Sequence, residues 1–169
     1  MCIIVDTNTF GDLINGSSTF HDDYQPIIDW VINGNGKFVI GGTKYFEELK
    51  RHHKILKLFG ELNKKNKIVN VCNEKVDEYQ LELQKNYSED DFDDPHLVSI
   101  VAISNCRLIC TRDSRAIPYL TDRKYFPKGI KPPKIYSGKR NRNLLCDRYI
   151  AEICKPCNRL KRSDRQQLQ

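Results

Sequence analysis

The sequence of 169 residues contains no long apolar run. A helix that crosses a bilayer needs about 20 consecutive apolar residues, and no stretch of this chain approaches that length. A secretory leader pattern is also missing, because the chain enters an apolar stretch at Cys2 without a basic segment and a longer apolar core. These absences predict a cytoplasmic protein with no membrane-spanning segment.

The seven cysteines lack the spacing of a complete zinc site. Only Cys154 and Cys157 form a C-x-x-C pair, and no second pair follows, whereas a structural zinc ion usually takes four ligands. His52 and His53 could contribute ligands, but nothing in the sequence requires it. An odd number of scattered cysteines indicates reduced thiols. We therefore expect Cys154 and Cys157 to be free thiols at the surface.

Acidic residues are scarce towards the C-terminal end of a chain whose net charge is +6. Between Lys124 and Arg165 the acids are Asp147, Glu152 and Asp164, while lysine and arginine are frequent. Such a basic stripe is typical of a surface that binds a polyanion, although the last residues are equally consistent with a solvated tail. We expect nucleic acid to contact Arg112, Arg115, Lys139, Arg140 and Arg142.

Short apolar runs alternate with helix-forming segments along the chain. Runs at residues 2–5, 37–40, 68–72, 108–111 and 135–136 predict strands, and the segments between the first four predict helices. This alternation is typical of an α/β fold with a central, mainly parallel sheet flanked by helices. We expect one domain over residues 1–137, then a basic C-terminal helix and tail over 138–169. The helix is predicted from Leu144 to Cys154, with disorder beyond Asn158.

Four acids lie at similar positions relative to the predicted strands. Asp6 directly follows the first strand, Glu48 lies in the helix after the second, and Asp94 and Asp113 lie on either side of the fourth. In a parallel sheet these positions can converge at one edge, where clustered carboxylates share protons or bind cations. Oxygen ligands suit Mg²⁺ or Mn²⁺, which can activate water and stabilise the leaving oxygen of a phosphodiester. The alternative is that each acid is a helix cap or a surface charge.

Polar neighbours of these acids are predicted to support them. Thr7, Asn8 and Thr111 could hydrogen-bond the carboxylates around the ligands. His96 stays outside the predicted site, because a histidine at such a position is more often a packing or hydrogen-bonding residue. Two choices remain open, between Glu47 and Glu48 and between Asp93 and Asp94, since adjacent helical residues differ by a rotation of about 100°.

Three segments of the chain resemble the PIN domain family of nucleases, which includes the VapC-type toxins. Ile3-Ile4-Val5-Asp6-Thr7-Asn8 is similar to the family's opening strand with its first acid. Thr43 to Arg51 resembles the helix that carries the second acid, at Glu48-Leu49. Residues 94–102 and 107–113 resemble the block that carries the third and fourth acids, Asp94 and Asp113. The resemblance covers residues 2–137.

The resemblance implies a metal-dependent endoribonuclease that cleaves single-stranded or structured RNA, such as a toxin of a toxin–antitoxin pair or a defence effector. It implies catalytic and metal-binding roles for Asp6, Glu48, Asp94 and Asp113, with Mg²⁺ or Mn²⁺ as cofactor. It also implies a small inhibitory, antitoxin-like partner and a homodimer. Two alternatives are a nucleic-acid-binding module without turnover and a DNA-cleaving nuclease.

Overall fold

The computed structural model describes residues 2–87, 92–146, 148 and 150–168. Its sheet has five strands, and each neighbouring pair is parallel, in the order β3-β2-β1-β4-β5. The prediction of an α/β fold with a mainly parallel sheet flanked by helices is confirmed. The strands are β1 Cys2–Val5, β2 Lys37–Ile40, β3 Ile68–Asn70, β4 Leu108–Cys110 and β5 Lys134–Tyr136.

Of the eight α-helices in the described ranges, seven connect the strands and α8 follows β5. β1, β2 and β4 are buried along their whole length and are apolar except for Lys37 at the start of β2, as expected for the central strands of a parallel sheet flanked by helices. The helices are α1 Phe10–Ile14, α2 His21–Asn33, α3 Thr43–Leu49, α4 His53–Lys64, α5 Asn73–Asn86, α6 Pro95–Ser104, α7 Ala116–Thr121 and α8 Arg162–Gln166.

The strand order reverses direction at β1. From β1 the chain moves outward to β2 and β3, then returns to place β4 on the other side of β1. The carboxyl ends of β1 and β4 are therefore neighbours, with Ile4 paired to Ile109 and Val5 to Cys110. In open parallel sheets, ligands bind in the crevice at such a reversal point. The residues that follow these two strands form one side of the candidate site.

Helix α3 is fixed against the end of β1 by a buried hydrogen bond. Gly42 begins the helix with φ of 84°, and a Cβ there would meet Val76 Cγ1, so the turn from β2 into α3 needs glycine. One turn later, the Tyr45 hydroxyl donates to the carbonyl oxygen of Val5 at 2.7 Å. This contact holds α3 beside the residues that follow β1.

The described residues after β5 do not form the predicted closing helix. Two 3₁₀ turns, Lys139–Leu144 and Glu152–Cys154, occupy the segment, and the backbone at Ala151 and Lys155 is extended. Ala151 and Cys154 are inserted into the core, at 3% and 0% exposure. The prediction of a helix from Leu144 to Cys154 is wrong for the described residues, because insertion of these side chains outweighs helical periodicity. Residues 147 and 149 lie outside the described ranges.

The segment predicted to be disordered beyond Asn158 is also packed on the domain. It contains α8, and Lys65 Nζ is 2.8 Å from both Asp164 Oδ1 and Gln167 Oε1. Upstream of α8, buried Lys67 donates from Nζ to the carbonyl oxygen of Asn158 at 2.9 Å. These contacts join the C-terminal residues to the region around β3.

No helix in the described ranges combines the length and apolarity needed to cross a bilayer.

We expect Tyr45→Phe to lower the free energy of unfolding by about 1–2 kcal/mol, because the buried carbonyl of Val5 would lose its hydroxyl donor. The measurement is urea denaturation followed by circular dichroism. Tyr87→Phe is the matched control, since its hydroxyl donates to the carbonyl of Lys124 at 3.0 Å near the surface, where water can substitute. An equal loss of unfolding free energy in the two variants would show that the buried Tyr45 hydroxyl contributes no more than the exposed Tyr87 hydroxyl.

Candidate metal centre

Asp6 places a carboxylate at the carboxyl end of the central strand. Its side chain is held on both oxygens: Oδ1 accepts the backbone N–H of Asn8 at 3.0 Å, and Oδ2 accepts the Thr111 hydroxyl at 2.6 Å. The residue is 2% exposed. Burial raises the pKa of Asp6, although these hydrogen bonds oppose the shift. The carboxylate is thus rigid and costly to ionise without a cation.

Glu48 reaches the same edge from α3. Its Oε2 accepts the Thr7 hydroxyl at 2.7 Å and lies 3.5 Å from Nε2 of His96, while Lys44 Nζ approaches Oε1 at 3.4 Å. Burial alone would raise the pKa of Glu48, but the hydrogen bonds with His96 and Thr7 outweigh it and lower the pKa to about 2. Glu48 is therefore ionised at neutral pH.

Asp94 immediately precedes α6, and His96 lies two residues further on, in the first turn of the helix. The Asp94 side chain makes no capping hydrogen bond, although the residue precedes Pro95 at the helix start, so its carboxylate is not used by the helix end. Its Oδ1 lies 3.8 Å from Nδ1 of His96. Burial raises the pKa of Asp94 against the opposing effect of His96, and the neighbouring negative charges of Asp6, Glu48 and Asp113 add to the rise.

The two open choices between adjacent acids are decided by burial and contacts. Glu47 is exposed on the outer side of α3, whereas the side chain of Glu48 is 18% exposed and points to Thr7. The Asp93 side chain is 59% exposed, against 20% for Asp94. Glu48 and Asp94 are the acids that face the site.

Asp113 lies beside the other acids, and its carboxylate is held by Arg115. Its Oδ1 accepts the backbone N–H of Arg115 at 2.8 Å, and Oδ2 lies 3.4 Å from the guanidinium of the same residue. The backbone N–H of Asp113 in turn donates to the Thr111 hydroxyl at 3.0 Å. The backbone hydrogen bond from Arg115 lowers the pKa of Asp113. Asp94 and Asp113 line a shared small cavity.

Glu48, Asp94 and His96 can together hold a metal ion. One ligand atom from each residue lies within 4.8 Å of a ligand atom from each of the other two. Among the described residues, no other set of three His, Cys, Asp or Glu side chains has ligand atoms this close together. His96 is 1% exposed, and its Nδ1 has no hydrogen-bond partner within those ranges. A buried nitrogen without a partner, beside two carboxylates, fits a divalent cation that takes oxygen and imidazole ligands.

His96 is the site residue that sequence reasoning left out. A signal was present, because His96 follows Asp94 by two residues and so enters the first turn of the same helix. Periodicity could not reveal it, since nine residues of α6 are buried and the helix has no polar face on which a histidine would stand out. Only the position of α3 beside α6 shows that the imidazole meets Glu48.

The predicted nucleic-acid-binding residues lie around the carboxyl edge of the sheet. Arg112, after β4, pairs with Asp12 at 3.0 Å and stacks over Phe20. Arg115 lies near Asp93 and Asp113, so its charge is partly offset. Three further cations follow the end of β5 and are exposed: Lys139, Arg140 and Arg142. Their contact with nucleic acid stays a prediction.

We expect Asp94→Asn to raise the melting temperature of the metal-free protein at pH 7. Because burial raises the pKa of Asp94, the folded state binds more protons than the unfolded state above the ordinary carboxyl pKa, and stability falls as pH rises through that range. In EDTA, removing this charge should raise the melting temperature by about 2–4 °C, which corresponds to about 1 kcal/mol of unfolding free energy for a chain of this size. The gain should shrink near pH 4.

Asp93→Asn is the matched control, since that side chain is exposed and should change stability by less than about 0.5 kcal/mol. A lower melting temperature for Asp94→Asn than for the unaltered protein, in EDTA at pH 7, would show that the charge is not destabilising.

Comparison with known proteins gives no relative: no protein-family model, no curated protein and no solved structure matches this chain. The functional assignment therefore depends on the geometry of the site.

Proposed function

We propose that this chain is a metal-dependent nuclease that cleaves phosphodiester bonds of RNA, an endoribonuclease of the PIN type that acts in the cytoplasm. The observation that carries the proposal is the meeting of Asp6, Glu48, Asp94 and His96 where the strand order reverses. Binding of RNA and regulation by an antitoxin-like partner belong to the same proposal through the PIN resemblance.

Glu48, Asp94 and His96 would hold the ion, with Asp6 and Asp113 next to it. Two carboxylates and an imidazole suit Mn²⁺, and Mg²⁺ is an alternative where oxygen ligands dominate. A bound divalent ion supplies Lewis acidity towards a phosphodiester and lowers the pKa of a water molecule to make it a nucleophile. It would also relieve the repulsion among the buried acids.

Residues of this chain orient the acids before any substrate binds. The hydroxyls of Thr7 and Thr111 each fix one carboxylate oxygen, on Glu48 and on Asp6 respectively. Because the second hydroxyl also accepts the backbone N–H of Asp113, it links the two strand ends. Such fixed hydrogen bonds keep ligands in place and reduce the reorganisation needed during the reaction.

A polyanionic substrate has a basic approach to this acidic site. Lys139, Arg140 and Arg142 begin directly after β5, on the same edge of the sheet, and the backbone N–H of Lys139 is fixed by Asp23 Oδ1 at 3.1 Å. Arg112 lies between the acidic cluster and α1, where its guanidinium is half exposed. Cations around acidic ligands can bind the phosphates on either side of the cut bond.

We expect the purified protein to cleave RNA in Mn²⁺ or Mg²⁺ and to lose this activity in EDTA. Asp6→Asn and Asp94→Asn should each reduce the rate by about 100-fold or more, since they remove charge from the metal centre. The measurement is product formation from labelled single-stranded and hairpin RNA, with DNA of the same sequence alongside. Glu47→Gln and Asp93→Asn are controls that preserve the buried acids.

Three results would contradict the proposal. If EDTA or Asp6→Asn left the cleavage rate unchanged, this metal centre would not be the catalytic site. Salt-sensitive RNA binding without turnover under any divalent ion would indicate a binding module. Cleavage of the DNA strand alone would indicate a DNA nuclease.

We expect His96→Gln to weaken activation by Mn²⁺ by about 10-fold or more, because a ligand or its immediate support is removed. The measurements are the rate as a function of Mn²⁺ concentration and direct Mn²⁺ binding by calorimetry, with KM for RNA measured at saturating ion. His21→Gln is a control on α2, where the imidazole Nδ1 lies 3.0 Å from the Asp12 carbonyl oxygen. An unchanged Mn²⁺ dependence in folded His96→Gln would exclude this role.

A further inference from the structure

Two lysines lie side by side at the amino-terminal edge of the sheet, opposite the acidic site. Lys37 is the first residue of β2, and Lys67 immediately precedes β3. Phe38 pairs with Ile68 in the parallel register, and the backbone N–H of Phe38 donates to the carbonyl oxygen of Lys67 at 2.9 Å. Each lysine stands one residue before this pair, so the two are neighbours across the strands, where like charges repel.

Lys67 is buried, and its hydrogen bonds leave its charge uncompensated. The residue is 1% exposed. Its Nζ donates to three carbonyl oxygens at 2.9, 3.2 and 2.9 Å, those of Gly34, Gly36 and Asn158. Burial lowers the pKa of Lys67 to about 8, and the charge of Lys37 adds to this shift while Cys157 opposes it. Carbonyl groups carry no net charge, so they satisfy the ammonium without cancelling its charge.

Lys37 is also buried and has no such partners. It is 9% exposed, and among the described residues its ammonium has neither a hydrogen bond nor an ion pair. Lys37 lines a cavity of about 360 Å³, which lies in the size range of small-molecule sites. A buried ammonium without a partner costs free energy that an anion in the cavity would recover.

Positive charge is in excess around this cavity. Three cations line it, Lys37, Lys65 and Arg159. Of these, only Lys65 pairs with an acid in the described part of the chain, with its Nζ 2.8 Å from Asp164 Oδ1. Arg159 is exposed. The side chains of Lys37 and Arg159 therefore give the cavity two cations that no acid in the described ranges neutralises.

The packing of the C-terminal segment forms one wall of the cavity. Cys154 and Leu160 are buried at 0% and 9% exposure, and the residues between them cross the amino-terminal edge of the sheet. Arg159 is held there next to Leu160, while the amide side chains of Asn66 and Asn158 also line the cavity. Polar groups that can donate or accept hydrogen bonds thus stand beside the two unpaired cations.

We propose that this cavity binds a phosphate monoester, carried either by a free mononucleotide or by a terminal phosphate of an RNA chain. A monoester carries a charge of about −1.5 to −2 at pH 7, which matches the two unpaired cations. A carboxylate or an internal phosphodiester carries only one negative charge. The guanidinium of Arg159 can bind two phosphate oxygens at once, and Lys37 would act as a point charge from the floor of the cavity.

The test measures binding by calorimetry with full-length protein in EDTA, at constant ionic strength. EDTA leaves the acidic site without a divalent ion that could hold a phosphate. The probes are AMP and an uncleavable 2′-O-methyl oligonucleotide with a 5′- or 3′-phosphate, compared with adenosine and the same oligonucleotide without terminal phosphates. We expect one phosphorylated probe to bind per chain, about 10-fold or more tightly than its unphosphorylated counterpart. Binding of AMP indicates a free nucleotide, and binding of the phosphorylated oligonucleotide alone indicates an RNA end.

Lys37→Met and Arg159→Gln should each weaken this binding by about 10-fold or more, because each removes a charge-assisted hydrogen bond. Lys37→Met should also raise the melting temperature of the ligand-free protein, since it replaces an unpartnered buried ammonium with an apolar side chain. Lys155→Gln is the matched control. It removes an exposed cation of the same segment that lies 2.8 Å from Glu152 and does not line the cavity, so binding should be unchanged.

The proposal is overturned if no phosphorylated probe binds more tightly than its unphosphorylated counterpart. It is also overturned if folded Lys37→Met binds the phosphorylated probe as tightly as the unaltered protein does. If Lys37→Met does not fold, Arg159→Gln decides the question by the same criterion. None of these readouts depends on cleavage or on a divalent ion, so the phosphate site and the proposed nuclease activity can fail separately.

Discussion

The position of β1 between β2 and β4 is the constraint on which the rest of the structure depends. Because the strand order reverses there, two chain segments more than 100 residues apart end side by side. The Thr111 hydroxyl links the two ends, because it donates to the Asp6 carboxylate and accepts the backbone N–H of Asp113. Helices α3 and α6 then add their side chains to a site whose base is already fixed.

Two neighbouring carboxylates of this site, Glu48 and Asp94, have pKa values shifted in opposite directions. Glu48 has hydrogen bonds to Thr7 and His96 that favour its charged form, while Asp94 has burial and three acidic neighbours that disfavour it. His96 faces both, with one nitrogen near Glu48 and the other near Asp94 without a partner in the described ranges. The arrangement is stable enough to fold but incompletely compensated, which is typical of sites that bind ions.

The two edges of the sheet carry different side chains. Asp6 and Thr111 directly follow β1 and β4 at the carboxyl edge, whereas Cys2 begins β1 and Cys106 precedes β4 at the amino edge. Cys154, predicted to be a surface thiol, is also buried in the core, because the C-terminal segment packs on the domain.

The sequence by itself determined the strands, their parallel class and the position of Asp6, because apolar runs and the residues that end them are local features. It did not determine that Glu48 rather than Glu47 faces the site, or that His96 lies beside Glu48. Nor did it determine that Cys154 packs in the core instead of ending a helix. Each of these depends on contacts between segments distant in the chain, such as Tyr45 with Val5 or Lys67 with Asn158. Local periodicity records which side chains are apolar, but only tertiary packing decides which polar groups share a buried space.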